Sequence, residues 1–222
     1  MKLVVRDFGI CEYLHAYHAM VAFNADRDSS TADEIWFMQH RPVYTLGMAG
    51  KSEHILNPGA IPVIKTDRGG QVTYHGPGQL LGYTLLDLKR SRISIKGLVE
   101  KIEQSIIDML DEYGIQGHRQ PGAPGVYVEK KKIAALGIRV RNGCSYHGFS
   151  MNIDMDLRPY LGINPCGYPG MEVTQLRELV PEPGFDHVIS SILPRLCQEL
   201  GYNLTDIIMS GVENMPLIEQ TA

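Results

Sequence analysis

Residues 68–80 of this 222-residue chain read Arg68-Gly69-Gly70-Gln71-Val72-Thr73-Tyr74-His75-Gly76-Pro77-Gly78-Gln79-Leu80, with four glycines in thirteen positions. Glycine has no Cβ, so the backbone N–H groups of such a stretch can approach a ligand closely. The arginine can hydrogen-bond carboxylate, carbonyl or phosphate oxygens. Glycine-rich turns are also common between strands, so composition alone leaves a plain turn and a ligand-binding loop equally open.

Composition indicates one globular domain over residues 1–222, with a peripheral tail after about residue 203. The chain is 44% hydrophobic and has a formal net charge of −4, and this size and balance suit a single core. The acidic balance argues against a general nucleic-acid binder. Residues 1–7 lack the apolar segment of a secretory signal, and no apolar run is long enough to span a membrane. We therefore expect a cytoplasmic protein that binds neither nucleic acid nor membrane.

The spacing of apolar residues predicts strands and helices along the whole chain. Leu98, Ile102 and Ile106 recur at four-residue steps, which is typical of a helix with one buried face, and Ser94 is suited to cap it. Glu34–Gln39 is too apolar for an exposed strand and is expected at the centre of a sheet. Strands are predicted at 3–5, 34–39, 82–87 and 126–128, and helices at 13–24, 94–113 and 185–200.

A hairpin is predicted over residues 132–153, because Asn142-Gly143 is the strongest short hairpin signal. With these two residues as the turn, Arg141 lies opposite Cys144 and the register of both strands is fixed. The pairs Ile138–His147, Leu136–Phe149, Ala134–Met151 and Lys132–Ile153 then share a mostly apolar face, while the other face takes Arg139, Arg141, Tyr146, Ser150 and Asn152.

This register places Lys132 at the mouth of the inward, apolar face. A partly desolvated lysine has a lowered pKa and can act as a general base or activate a nucleophile. The alternative is a lysine at a strand end that keeps its ammonium in water.

The best candidate nucleophile is Cys166, in the tight loop Pro165-Cys166-Gly167. Gly167 removes bulk beside the thiol, and a loop N–H there could bind an oxyanion. The alternative is an inert, packed cysteine. The four cysteines show no CxxC pattern and are expected to be reduced thiols.

Two histidines could partner Cys166 by chemistry alone, His75 and His147. The hairpin register puts His147 about 20 Å from Lys132 along the same face, and among Phe149 and Met151, so we expect a packed histidine there. A metal site from Cys144, His147 and Cys166 lacks any recognisable ligand spacing, and no metal is expected.

Four segments together closely resemble the octanoyltransferases of lipoate synthesis, also called lipoyl/octanoyl-protein transferases or lipoyl-protein ligase B. They occur in the family's order and spacing, with Cys166 following Lys132 by 34 positions. The similarity extends from the first strand to about Leu179. The segments are Arg68 to Gln79, Lys132-Ile133-Ala134-Ala135-Leu136-Gly137, His147-Gly148-Phe149 and Pro165-Cys166-Gly167.

The resemblance implies an α+β fold like that of biotin and lipoate protein ligases, a class II aminoacyl-synthetase-like fold with a mixed central sheet and packed helices. It implies that Cys166 attacks the thioester of octanoyl–acyl carrier protein, while Lys132 promotes ionisation of the thiol and relays protons. The acceptors would be lysines of the lipoyl domains of 2-oxoacid dehydrogenase complexes and of the glycine-cleavage H protein. A thioester is already activated, so no ATP and no cofactor would be needed. We expect a monomer.

The resemblance also implies a set of substrate-binding residues. The predicted hairpin register pairs two of its segments, Ala135 opposite Ser150 and Gly137 opposite Gly148, as a shared acyl pocket wall requires. The glycines of the set are expected to leave room for an acyl tail. Leu136 stands where isoleucine is common, and Ser150 where a small apolar residue is common. The set is Arg68, Gly69, Gly70, Gln71, Val72, Thr73, Tyr74, His75, Ala135, Leu136, Gly137, Gly148, Phe149 and Ser150.

Three other functions share parts of this pattern. An ATP-dependent lipoate or biotin ligase of the same fold would not need Cys166. Tyr74-His75 also stands where those ligases have a more basic, phosphate-binding sequence, which argues against this function. A non-catalytic module that binds carrier domains would not need Lys132, His75 and Cys166 together. A papain-like hydrolase would show a local signature that is absent. The basic cluster Lys130, Lys131, Arg139 and Arg141 could dock acidic carrier domains or form a solvated hairpin face.

Overall fold

The computed structural model describes residues 2–212 as eleven strands and four α-helices. The strands are β1 (Leu3–Cys11), β2 (Asp33–His40), β3 (Val43–Leu46), β4 (Val63–Lys65), β5 (Val72–His75), β6 (Gln79–Leu85), β7 (Gly117–His118), β8 (Gly125–Val128), β9 (Lys131–Arg141), β10 (Cys144–Asn152) and β11 (Ile207–Val212). The helices are α1 (Tyr13–Asp26), α2 (Leu88–Ser91), α3 (Ile95–Glu112) and α4 (Phe185–Leu200). Short 3₁₀ turns include Ser52–His54, Arg158–Gly162 and Pro165–Gly167.

Eight strands form one mixed sheet in the order β11-β1-β2-β6-β10-β9-β8-β7. β1 runs parallel to both β2 and β11, and the other neighbours are antiparallel. A second, three-stranded sheet in the order β4-β3-β5 lies beside it. The predicted α+β class with a mixed central sheet is confirmed.

Helices cover both faces of the large sheet. α3 begins where the Ser94 hydroxyl accepts the Gly97 N–H at 3.0 Å, and its predicted apolar stripe is fully buried with α4 against one face. Each such buried side chain contributes roughly 1.5–3 kcal/mol. α1 packs on the opposite face against Trp36, Met38 and Tyr83. No helix within residues 2–212 has the length and apolar character to cross a membrane.

The predicted hairpin register is confirmed from Arg141–Cys144 to Ala134–Met151. The predicted Lys132–Ile153 pair is wrong. Against β8, Val126 pairs with Ala134 and Tyr127 with Lys132, so Ile133 is an extra residue that forms a β-bulge. The backbone of Lys132 bonds instead to the segment after Cys166, donating to Glu172 O at 2.9 Å and accepting from Thr174 N at 3.0 Å.

The bulge also corrects the predicted face of Lys132. A bulge shifts the alternation of side chains by one residue. Ile133 and Ala134 are therefore both buried in the core beneath α3, whereas Lys132 lines a cavity together with Ala135 and Gly137. The lysine does not continue the apolar face that the sequence predicts for it.

The region after residue 203 adds a strand to the sheet. β11 pairs in parallel with β1 from Leu3–Ile207 onward and forms one edge of the large sheet. The predicted first strand at 3–5 extends through Cys11 because it pairs with both β2 and β11. The rest of the predicted tail, residues 213–222, lies outside the described residues.

Candidate active site

The glycine-rich stretch is held in place by its own arginine. Arg68 is 8% exposed, and it donates from Nε to Thr45 Oγ1 at 3.0 Å and from its Nη atoms to Gly69 O at 2.8 Å and Gln71 O at 2.7 Å. Burial lowers the pKa of Arg68 below its usual value. These bonds fold residues 68–71 against β3, so the guanidinium acts on the shape of the stretch.

A cavity of about 340 Å³ lies between this stretch and strands β9 and β10, within the size range of small-molecule sites. Every predicted site residue lines it except Tyr74. Side chains alternate along β5, so Thr73 and His75 face the cavity. Tyr74 points the other way, between Tyr44 and Tyr160 at ring-centroid distances of 5.5 and 5.6 Å.

The glycines of the cavity wall serve close backbone packing. A Cβ on Gly137 would lie 3.0 Å from Gly69 O, and one on Gly148 would lie 2.0 Å from Gly82 O. These atoms belong to neighbouring protein segments. The expectation that Gly137 and Gly148 leave room for a ligand is therefore wrong: they let adjacent segments approach and so set how narrow the cavity is.

Cys166 and Lys132 meet at the cavity. Lys132 is 3% exposed, and its Nζ donates to Cys166 Sγ at 3.1 Å and to Pro124 O at 3.1 Å. The ammonium also lies 5.1 Å from the ring centroid of Tyr127. Cys166 has φ 56° and ψ 15°, a left-handed conformation that non-glycine residues adopt rarely and often at functional sites.

The predicted lowering of the Lys132 pKa is wrong. Burial does lower the pKa of this lysine, but its attraction to Cys166 and its hydrogen bonds to Cys166 and Tyr127 outweigh burial and raise the pKa above its usual value. Desolvation is visible from the sequence, whereas the sulfur partner lies 34 positions along the chain and reaches Lys132 only in the fold. Lys132 is thus an ammonium held against Cys166.

The other three thiols are harder to ionise than an ordinary cysteine. Burial raises the pKa of Cys11 to about 12 and that of Cys197 to about 11, and it also raises the pKa of Cys144. All four cysteines are free. Thiol-directed reagents near neutral pH should therefore report mainly on Cys166.

Of the loop N–H groups beside Cys166, one of which was expected to bind an oxyanion, that of Gly167 is already used. Gly167 N donates to Asn164 O at 2.9 Å. Among the described residues, the Cys166 N–H and the Gln71 Nε2 each donate no hydrogen bond to the protein. Gln71 Oε1 accepts from Lys51 N at 2.9 Å, and its Cγ would lie 2.9 Å from a Cβ on Gly167. The carboxamide thus lies beside the Cys166–Gly167 backbone.

His75 is buried with both ring nitrogens engaged. Nδ1 lies 2.7 Å from Gln79 Oε1 and Nε2 lies 3.2 Å from Thr45 Oγ1. Burial holds the pKa of His75 well below its usual value, so the ring is neutral. This histidine forms part of the cavity wall and of the network that fixes it.

His147 is packed, as predicted, and is 1% exposed, but it lies at the cavity and not among the predicted apolar core residues. Its φ is 58°, and this turn directs its Nε2 to Asp67 Oδ1 at 2.9 Å and its ring onto Tyr17, with centroids 5.6 Å apart. Burial lowers the pKa of His147 against the opposing effect of Asp67. Burial raises the pKa of Asp67, but hydrogen bonds from His147 and Tyr146 lower it to about 2.

Two contributors to the site were missed from the sequence. Asp67 directly precedes Arg68, and its position next to the glycine-rich stretch was a usable signal. Pro124 acts through its backbone carbonyl, which residue type does not reveal. Within the described ranges, no group of three or more His, Cys, Asp or Glu side chains could hold a metal ion.

The chain shares its fold with lipoate and biotin protein ligases. Lipoate-protein ligase A bound with ATP superposes with a TM-score of 0.78 at 14% identity, covering 97% of this chain and 91% of that one. Biotin protein ligase from Aquifex aeolicus gives a TM-score of 0.54 at 13% identity, covering 90% and 69%. The predicted fold class is confirmed.

Sequence comparison identifies the family within this fold. The model of the lipoyl protein ligase A/B catalytic domain matches residues 13–197. An octanoyltransferase of Pseudomonas paraeruginosa is 52% identical over 213 residues, 96% of this chain and 98% of the relative. One from Azotobacter vinelandii is 50% identical over 212 residues, 95% and 97%. The chain therefore belongs to the lipoyl protein ligase A/B catalytic-domain family, and within it to the octanoyltransferases, which are acyltransferases.

Proposed function

We propose that this protein moves an octanoyl group from octanoyl–acyl carrier protein to a lysine of a lipoyl domain, through a thioester on Cys166. The observation that carries the proposal is the 3.1 Å contact between Lys132 Nζ and Cys166 Sγ in an apolar-walled cavity. A nucleophilic thiol needs to be ionised, and a buried ammonium in contact with the sulfur favours that ionisation.

In the first half-reaction, the Cys166 thiolate attacks the carbonyl carbon of the donor thioester. A carbon–sulfur bond forms to Cys166, the bond to the carrier's sulfur breaks, and the carrier thiolate leaves and takes a proton that Lys132 can supply. The carbonyl oxygen gains negative charge in the transition state, and preorganised N–H donors stabilise such charge strongly. We assign the Cys166 N–H and the Gln71 Nε2 to this task.

In the second half-reaction, the neutral amine of the acceptor lysine attacks the Cys166 thioester. A carbon–nitrogen bond forms, the bond to Cys166 breaks, and the proton lost by the nitrogen returns to the Lys132–Cys166 pair. Both thioesters are activated acyl donors, so neither half-reaction requires ATP. The octanoyl chain would lie in the cavity between the glycine-rich stretch and the β9–β10 hairpin.

We expect the acceptors to be lipoyl domains of 2-oxoacid dehydrogenase complexes and the glycine-cleavage H protein. The wider family supports lipoyl-domain acceptors in general, since an archaeal lipoate protein ligase similar in fold has been solved within a system that includes its E2 lipoyl domain. A cytoplasmic location fits four free cysteines, which reducing compartments preserve.

The test is transfer to an apo lipoyl domain under two sets of conditions. With octanoyl–acyl carrier protein and no ATP, we expect stoichiometric octanoylation of the acceptor lysine. With free octanoate and ATP, we expect none. The opposite pattern would show an ATP-dependent ligase, and binding to carrier domains without product in either mixture would show a non-catalytic module.

A further inference from the structure

One buried carboxylate interrupts the apolar face of α3. Glu103 is 4% exposed. Its Oε1 accepts the Gly125 N–H at 2.8 Å, and its Oε2 accepts Arg119 Nε at 3.0 Å. Arg119 also donates to the carbonyl of Glu100 at 2.8 Å. A buried carboxylate is tolerated where it is paired and hydrogen-bonded, and both partners here stand at the two ends of the loop of residues 119–125.

The other side of this loop reaches the Lys132–Cys166 pair. Pro124 O accepts a hydrogen bond from Lys132 Nζ at 3.1 Å. Gly125, at φ 140°, leaves space for the lysine stem, since a Cβ there would lie 3.1 Å from Lys132 Cε and 3.3 Å from Nζ. The 119–125 loop thus provides one acceptor for the ammonium through Pro124 O, alongside Cys166 Sγ.

We infer that Glu103 is a positioning residue for the acyl-transfer site, acting through the 119–125 loop on the Lys132 ammonium. The inference rests on the proposed role of Lys132 toward Cys166. A lysine carries three donors on a flexible four-carbon stem, so its placement depends on its acceptors. When Glu103 no longer holds the Gly125 N–H, the adjacent Pro124 carbonyl loses its fixed position and the ammonium spends less time against the sulfur.

The inference is tested by the pH dependence of Cys166 alkylation with iodoacetamide, with the modified cysteine identified by peptide mass spectrometry. Glu103→Ala should slow alkylation near neutral pH by roughly 3- to 10-fold, the range for loosening one charge-assisted hydrogen bond, and move the profile to higher pH. Glu103→Gln keeps an acceptor for Gly125 N–H and should stay within about twofold of the wild type.

Matched controls separate positioning from general stability. Ser105 is also buried in α3, and its hydroxyl donates to Lys101 O one turn earlier in the same helix, so Ser105→Ala should leave the profile unchanged. Arg119→Ala removes a half-exposed partner of Glu103, should fold, and should shift the profile in the same direction by less. If Glu103→Ala does not fold, the alkylation profile of Arg119→Ala tests the positioning role in its place.

An unshifted profile in Glu103→Ala or, failing that variant, in Arg119→Ala would overturn the inference and assign Glu103 a structural role alone. Lys132→Ala distinguishes failure of the Glu103 positioning role from failure of the Lys132–Cys166 coupling. If Lys132→Ala shifts the profile and the Glu103 and Arg119 variants do not, only the positioning role fails. If Lys132→Ala leaves the profile unchanged, the Lys132–Cys166 coupling itself fails and the inference fails with it.

Discussion

Lys132 Nζ lies 3.1 Å from Cys166 Sγ because a bulge at the next residue, Ile133, turns the lysine out of the core face of β9. In a regular strand Lys132 would share the face of Ala134, which is buried beneath α3. Bulges beside active sites often re-aim one side chain in this way. The lysine therefore reaches the cavity at the cost of a single unpaired residue in the sheet.

Replacing Lys132 with alanine should slow alkylation of Cys166 near neutral pH and move the pH–rate profile to higher pH. Burial lowers the pKa of Lys132, but attraction to Cys166 raises it overall, so the lysine is protonated across the neutral range and favours the thiolate. Loss of this charge should slow alkylation roughly tenfold, equivalent to about 1.4 kcal/mol. The neighbouring, exposed Lys131→Ala is the control and should behave as wild type. An identical profile in Lys132→Ala would refute the coupling.

Gln71→Ala should lower the rate constant for acylation of Cys166 with little change in donor binding. Removing one oxyanion donor typically costs about 10²- to 10³-fold in rate, and the Cys166 N–H would remain. Single-turnover kinetics with octanoyl–acyl carrier protein would measure the step. Lys51→Ala is the matched control, since Lys51 contacts Gln71 through its backbone N–H. A Gln71→Ala variant that acylates at the wild-type rate would exclude the carboxamide as a donor.

Gly148→Ala should destabilise the sheet. Its Cβ would lie 2.0 Å from Gly82 O on β6, and neither backbone can move without breaking the pairing of β6 with β10. Overpacking of this kind costs about 1–3 kcal/mol, measurable by urea denaturation. Gly184→Ala is the comparison, because Gly184 is exposed and a Cβ there meets nothing closer than 3.7 Å. Equal stability of the two variants would contradict the packing role.

The free energy of unfolding should fall as the pH drops from about 6.5 to about 4, in part through His40. This ring is fully buried between Cys11 O at 3.1 Å and the Tyr83 hydroxyl at 2.7 Å, and burial lowers its pKa to about 4. The unfolded state binds a proton first, so folding loses stability through this window, by up to about 3 kcal/mol for this group.

His40→Gln should therefore show a shallower loss of stability over the same pH range, whatever its stability at neutral pH. Urea denaturation at pH 7 and pH 4.5 would give the change in unfolding free energy with pH for the wild type and for His40→Gln. His15→Gln, at an exposed position on α1, should keep the wild-type slope. A His40→Gln slope as steep as the wild-type slope would mean that this histidine is not the titrating group.

The sequence predicts the hairpin because Asn142-Gly143 fixes its turn, and both strands then agree on one apolar face. It does not predict the bulge at Ile133, since a bulge depends on pairing with β8, which the alternation of residues does not encode. The same holds for His147, whose positive φ reverses its direction. Local pattern specifies local pairing, and these two departures from it shape the site.

The buried hydrogen bond between Glu103 and Gly125 is not predictable from the sequence. Gly125 lies 22 positions away from Glu103, and a single acid within an apolar helical stripe is indistinguishable from a partly exposed residue at the edge of that stripe. By contrast, Cys166 and Lys132 were proposed together from the four segments that resemble the octanoyltransferases, and the structure brings them into contact.

Intact-protein mass spectrometry after mixing with octanoyl–acyl carrier protein, without ATP, would detect the proposed octanoyl thioester on Cys166 itself. We predict a mass increase of one octanoyl group that is absent in Cys166→Ala, retained in Cys11→Ala, and discharged on addition of an apo lipoyl domain. Octanoylation of the lipoyl domain with no adduct on the wild-type protein at any time, together with full activity of Cys166→Ala, would contradict the covalent mechanism.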